Sequence, residues 1–234
     1  MNLNDKYTHL SVLDKGYVRL IDVLGDDLSV ANAARVSYDK TSHEMSEKDA
    51  NLIRFLWDEG HTSPFRHAAL TFEVYAPLMV ARQHWKYAVS STFVDDQNGW
   101  NESSRRYITE EPTFHVPYEW RTAPANSKQG SGEPLDLAQS IAVSELLESH
   151  IRNSEELYEL AMSAGICAEQ ARLFLPAYGM YVRYRWTVSL HAVMHFIAQR
   201  MEHTAQVEIQ AYASAILDLA QEASPFCMQL LENK

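Results

Sequence analysis

A chain of 234 residues, 46% hydrophobic and 22% charged, suits a globular protein with a substantial core, in one large domain or two small ones. Its formal net charge of −11 argues against a dedicated nucleic-acid binder, which needs a basic surface, so any anion site must be a local basic cluster. The N-terminal MNLNDKYTHLSVLDKG has no apolar signal core, and no run approaches the roughly 18 apolar residues of a membrane helix, so a soluble cytoplasmic protein is expected.

GYVRLIDVLG (16–25) alternates and is rich in β-branched residues, which predicts a strand closed by Gly25. DDLSVANAARVSYDK then reads as a short helix running into a loop. Ser46 opens SEKDANLIRFLWDEG, with Asp49 three residues on as in a capping box and Gly60 as the stop; Leu52, Phe55 and Leu56 form its apolar face. HAALTFEVYAP (67–77) predicts a second strand halted by Pro77. In LMVARQHWKYAV, Leu78, Ala81, Trp85 and Val89 recur at helical spacing, leaving Arg82, Gln83 and Lys86 on other faces. Residues 108–136 carry four of the eight prolines and predict a long loop, of a kind that tends to be functional or disordered. A helical region over about 136–165 follows, then CAEQARLFLP, a short helix ended by Pro176, and a third strand, MYVRYRWTVS (180–189). The remainder from Leu190 to Ala223 has one long helical pattern. Without repeats or a linker, a single α+β domain with a small mixed or antiparallel sheet is expected.

Chemistry is carried by few motifs. Neither a dinucleotide-binding nor a P-loop glycine pattern occurs, and there is no G-x-S-x-G. Cys167 and Cys227 are far apart and outside metal spacing, which suits a reducing compartment, and Cys167 reads as a small core residue. His191 and His195 are four apart with Glu202 near the same face, yet H-E-x-x-H is absent, so no metal is expected. Arg200 sits in the apolar stretch VMHFIAQRM, and a guanidinium there needs a carboxylate or a ligand. With Arg172 and the donors Ser103, Ser104, Arg105 and Arg106, the residues alone describe either a phosphorylated small-molecule site or a salt-bridged surface.

The ordered blocks ANAARVSY (31–38), GHTSPFRHAALTFEV (60–74), VARQ (80–83), NESSRRY (101–107), EQARLFLP (169–176), YVRYRWTVS (181–189) and RMEHTAQVEIQAYA resemble those of the flavin-dependent thymidylate synthases over nearly the whole chain. The resemblance implies an α+β homotetramer with active sites between subunits. It also implies methylation of dUMP with methylenetetrahydrofolate as carbon donor, FAD as hydride carrier and NADPH as reductant, with no enzyme nucleophile. It assigns Arg200 to ionisation of the pyrimidine N3, Arg172 to dUMP, Ser103, Ser104, Arg105 and Arg106 to the nucleotide phosphate, and Gln83 to dUMP from a neighbouring subunit. Ser63 falls at a flavin-contacting hydroxyl, and Glu102 falls to the flavin as well.

Where that family has R-H-R, this chain has Lys86-Tyr87-Ala88, followed by an insertion of about eight residues before Asn101. Lys86 retains charge without a bidentate fork, and Tyr87 is suited to stack on a ring. Ser189, His191 and His195 replace other flavin-side positions. Expected nucleotide contacts are thus kept while expected flavin contacts change together. The insertion, with Trp100 for stacking and Asp95, Asp96 and Asn98 as acceptors, is the place for compensating contacts; His84, Trp85 and His115 are further candidates nearby. Alternatives are C5 modification of another pyrimidine nucleotide, such as hydroxymethylation, and a nucleotide-binding protein without catalysis.

Overall fold

The computed structural model describes residues 9–89, 99–108, 110–125 and 130–232. Its centre is a five-stranded, wholly antiparallel sheet in the order β1-β2-β3-β5-β4, built from β1 (His9–Val12), β2 (Gly16–Leu24), β3 (Ala69–Pro77), β4 (Gly99–Glu102) and β5 (Tyr181–Ser189). Strand alternation sorts the two faces. Val18, Leu20, Phe72, Val74, Val182, Tyr184, Trp186 and Val188 are buried on one of them, in the same core as the helices. The opposite face is polar: Glu73 is 5% exposed and accepts from Arg19 at 2.6 Å, Tyr17 at 3.1 Å and Arg185 at 3.4 Å.

Among the described residues there are eight helices: α1 (Asp27–Arg35), α2 (Glu47–Asp58), α3 (Leu78–Val89), α4 (Leu137–Ser163), α5 (Ala168–Ala171), α6 (Leu190–Arg200), α7 (Val207–Ala223) and α8 (Pro225–Glu232). None is long and apolar enough to cross a membrane. The capping box forms as expected: Ser46 and Asp49 exchange side-chain and backbone bonds at the start of α2. Asp49 also accepts from Arg35 at 2.7 Å and from Ser42 at 2.9 Å, tying α1 to α2.

Four expectations are corrected. The buried face of α2 is Asp49, Ile53 and Leu56, whereas Phe55 is 55% exposed and lies near His61. On α3 the buried residues are Val80, Ala81, His84 and Tyr87; Trp85 faces outward beside Arg82, and the Val89 side chain lies outside the described residues. His84 and Tyr87 each keep a polar partner: the His84 Nδ1 bonds the Tyr184 hydroxyl in the core, while its Nε2 finds none among the described residues, and the Tyr87 hydroxyl donates to exposed Gln199. The last helical pattern divides at Met201–Gln206, where residues 201–204 are all exposed and nothing buried sustains a helix. There Gln210 donates to the carbonyls of Glu202 and Ala205 and closes the turn, so α6 and α7 both pack on the sheet. Cys167 is exposed at the N-cap position of α5, while Cys227 is the buried cysteine, its thiol pushed up by burial beside Asp27.

The long segment 108–136 is irregular, as expected, yet held at several points. Phe114 bridges to Met180, Tyr181 donates its backbone N–H to Thr113, and Asp14 gathers His115 and the Tyr181 hydroxyl on one carboxylate oxygen.

Candidate active site

The basic turn is placed by strand pairing. β4 ends at Glu102, and Ser103 continues its attachment to β5 through two bonds with Arg183: its N–H donates at 2.8 Å and its hydroxyl accepts at 3.0 Å. Ser104 then begins a turn, its carbonyl accepting from Tyr107 and Ile108. The Arg106 Nε donates to the Ser104 hydroxyl at 3.0 Å, so hydroxyl and guanidinium are presented as a pair. Arg172 follows α5 in a 3₁₀ turn whose end is set by buried Leu175 and by Pro176; its Nε donates to the Glu169 carbonyl at 3.2 Å.

Ser103, Ser104, Arg105, Arg106 and Arg172 all line one cleft of about 770 Å³. Its floor is a row of rings from three strands, with Tyr17 and Tyr75 centred 5.6 Å apart and Tyr75 and Tyr181 4.9 Å apart, and Arg183 beside them. Desolvation raises the Glu102 carboxyl at the rim above its ordinary range. Arg105 turns to the far side, donating to the Glu110 carbonyl with its guanidinium 5.7 Å from the Tyr158 ring, at the border of a second cleft of about 660 Å³ against α4. Several cationic and hydroxyl donors around an open, aromatic-floored space suit a phosphate carrying a flat ring.

Arg200 and Gln83 lie in a different hollow, of about 400 Å³, formed by α3, the end of α6 and the turn before α7. Gln83 donates to the side chain of Gln206 and to the Met79 carbonyl at 3.4 Å. The Arg200 Nε donates to the Tyr87 hydroxyl at 2.6 Å. No described residue lines both this hollow and the 770 Å³ cleft. Within one chain, then, the phosphate-type donors and the Arg200–Gln83 pair are separate.

The positions expected to face a flavin are dispersed. Ser63 is exposed at the start of a 3₁₀ turn, Lys86 is exposed on α3, and Glu102 is exposed at the cleft rim. Tyr87 is 7% exposed, its ring edge-on to Phe196. Ser189 is buried as the N-cap of α6, accepting from Ala192 at 3.3 Å, and His191 is buried with its ring 6.3 Å from Trp57. His195 is half-buried beside Tyr87, and burial and then Arg200 lower its pKa. Asp95, Asp96 and Asn98 lie outside the described residues, and Trp100 stacks on Tyr184 with ring centres 4.1 Å apart. Of the further candidates, His84 is fully buried between Phe196 and Trp186, and desolvation lowers its pKa to about 3. His115 holds the long segment on Asp14.

The sequence reading missed the tyrosine floor and the Gln199 and Gln206 partners. Alternation in YVRYRW does mark Tyr181, Arg183 and Arg185 as one face of a strand, so part of the floor was available. Gln206 had no such signal, because its role depends on the break between α6 and α7.

Residues 19–226 match the family model described as "Thymidylate synthase complementing protein". A flavin-dependent thymidylate synthase of Thermosipho africanus is 37% identical over 218 residues, covering 93% of this chain and 91% of that one. The corresponding protein of Thermus thermophilus is 35% identical over 224 residues, 96% of this chain and 78% of its own length. Among solved structures, a UMP/dUMP methylase, PolB of Streptomyces cacaoi bound with 5-Br dUMP, superposes with a TM-score of 0.81 at 26% identity over 97% of each chain. The same methylase bound with 5-Br UMP gives 0.79 at 25% identity over 96% of each chain.

Proposed function

The chain belongs to the flavin-dependent thymidylate synthase family, an enzyme family of methyltransferases, and from that premise we propose that it methylates dUMP at C5 to give dTMP. Methylenetetrahydrofolate is the carbon donor, FAD the flavin and NADPH the reductant. The observation that supports this reading is the gathering of Ser104, Arg106 and Arg172 in one cleft over a tyrosine floor, with Arg200 in a second hollow. A homotetramer in which one subunit's cleft meets another's Arg200 hollow makes a complete site from both.

In that site Ser104, Arg106 and Arg172 hold the phosphate as charge-assisted donors, with Ser103 anchoring the turn to β5. Arg200 lies along the imide edge of the pyrimidine and stabilises negative charge at N3, and Gln83, oriented by Gln206, reads the same edge. A fixed guanidinium is more effective there than water because it needs no reorientation as charge develops. No cysteine is required as nucleophile: Cys227 is buried and Cys167 lies on the surface.

The residues present fit a flavin in part. Ser63, Lys86 and Glu102 are exposed and His195 is half-buried, whereas the Ser189 hydroxyl caps its own helix and the Tyr87 hydroxyl lies against Arg200. Lys86, Ser63, Glu102 and His195 are the residues that would hold the cofactor, Lys86 by its charge. When bound, the flavin supplies the hydride that completes the methyl group.

The likeness to a UMP/dUMP methylase favours one second reading, acceptance of the ribonucleotide UMP as well. Incubation of the FAD-loaded protein with dUMP or UMP, methylenetetrahydrofolate and NADPH tests both. A product heavier by CH2, a methyl in place of the C5 hydrogen, supports the proposal for that nucleotide. A hydroxymethyl product, or tight binding without turnover, refutes it.

A further inference from the structure

Arg200 is held in an unusual manner for a half-buried arginine. Among the described residues no carboxylate pairs with it; its Nε donates instead to the Tyr87 hydroxyl at 2.6 Å. The single phenolic proton is directed onward to the Gln199 Oε1 at 3.1 Å, which leaves the oxygen lone pairs toward the guanidinium. Tyr87 is itself immobilised, 7% exposed, with its ring 5.0 Å from Phe196 and 5.8 Å from His195. It stands on α3 and Arg200 at the end of α6, so the bond crosses between two elements that line the same hollow.

We propose that Tyr87 is the positioning residue for Arg200, fixing the Nε edge of the guanidinium so that its terminal amino groups form a fork for the imide edge of the pyrimidine. The inference rests on the nucleotide reading above. A carboxylate in this place would orient the arginine equally well, but it would neutralise the charge that a developing anion needs. A neutral phenol orients without cancelling. Burial raises the Tyr87 hydroxyl above its ordinary range, which keeps it protonated through neutral pH.

The test uses the full-length, cofactor-loaded oligomer and three variants: Tyr87→Phe, Arg200→Lys and the double substitution. Tyr87→Phe keeps the ring against Phe196, so the thermal midpoint serves as a control for folding. With dUMP, kcat should fall roughly 10- to 100-fold, the loss of one hydrogen bond to a charged group in the transition state. The Kd for dUMP should stay within about threefold, since the phosphate contacts lie elsewhere. In the Arg200→Lys background, which lacks Nε, adding Tyr87→Phe should change kcat by less than about twofold. Parental kcat in Tyr87→Phe overturns the positioning role, as does a double variant whose loss is the product of the two single losses. A parent that turns over no pyrimidine nucleotide overturns the proposed function, and this role with it.

Discussion

Arg106→Ala should loosen the grip on the nucleotide's 5′-phosphate while leaving the chemistry at the base nearly intact. The Arg106 side chain is 42% exposed, its Nε lies 3.0 Å from the Ser104 hydroxyl, and its nearest carboxylate, Glu169, is 4.0 Å away. Such a guanidinium keeps most of its charge available to an anion, and a charge-assisted bond to phosphate contributes about 1.5–3 kcal/mol. The exposure favours the lower half of that range, because water screens the pair. The Kd for dUMP should therefore rise roughly 10- to 50-fold, with kcat at saturation within about threefold of the parent. Titration calorimetry and steady-state kinetics measure the two quantities. Deoxyuridine, which has no phosphate, supplies the control: its weaker binding should be the same in parent and variant. If Arg106→Ala weakens deoxyuridine as much as dUMP, or lowers kcat at unchanged Kd, the phosphate assignment is refuted.

Other consequences are equally direct. Arg200→Ala should abolish measurable turnover while the protein still binds dUMP through the 770 Å³ cleft; parental activity in this variant removes Arg200 from the mechanism. Asp49→Ala should cost about 3–5 kcal/mol in denaturant melts, because it strips the cap of α2 and leaves the guanidinium of Arg35, 22% exposed, without its 2.7 Å partner. A cost below about 1 kcal/mol would show that the α1–α2 tie carries little. His84 makes stability fall with acid: burial lowers its folded pKa from 6.5 to about 3, so the unfolded chain takes up the proton first. Its contribution is complete above pH 6.5 and is lost as pH falls toward 3, by at most roughly 5 kcal/mol. The difference in stability between pH 7 and 4.5 should shrink in His84→Gln; an unchanged difference would place the acid sensitivity elsewhere.

Local signals in the sequence translated well. The Ser46–Asp49 cap, the strands at 16–25, 67–77 and 180–189, and the irregular proline-bearing segment all follow from residues close together in the chain. Features decided by distant partners did not. Spacing placed Trp85 inside α3, but His84 occupies the core because Tyr184, 100 residues away, bonds its ring. The break after Arg200 depends on Gln210 closing a turn that helical periodicity alone does not reveal. Likewise, β4 is a strand because Gly99–Glu102 meets Tyr184–Thr187, with Trp100 stacked on Tyr184, rather than through any strong β-propensity of GWNE. For the site, the basic turn and Arg172 were legible together, whereas the distance of Arg200 from them is a property of the fold.

Subunit complementation tests that separation, and the shared site it implies, most directly. Arg106→Ala,Arg172→Ala and Arg200→Ala chains, each inactive alone at limiting dUMP, are unfolded, mixed one to one and refolded into oligomers. If each site takes its phosphate donors from one subunit and Arg200 from another, random assortment restores about one quarter of the parental activity. Mixed oligomers that form but stay as inactive as their parents would contradict the shared site.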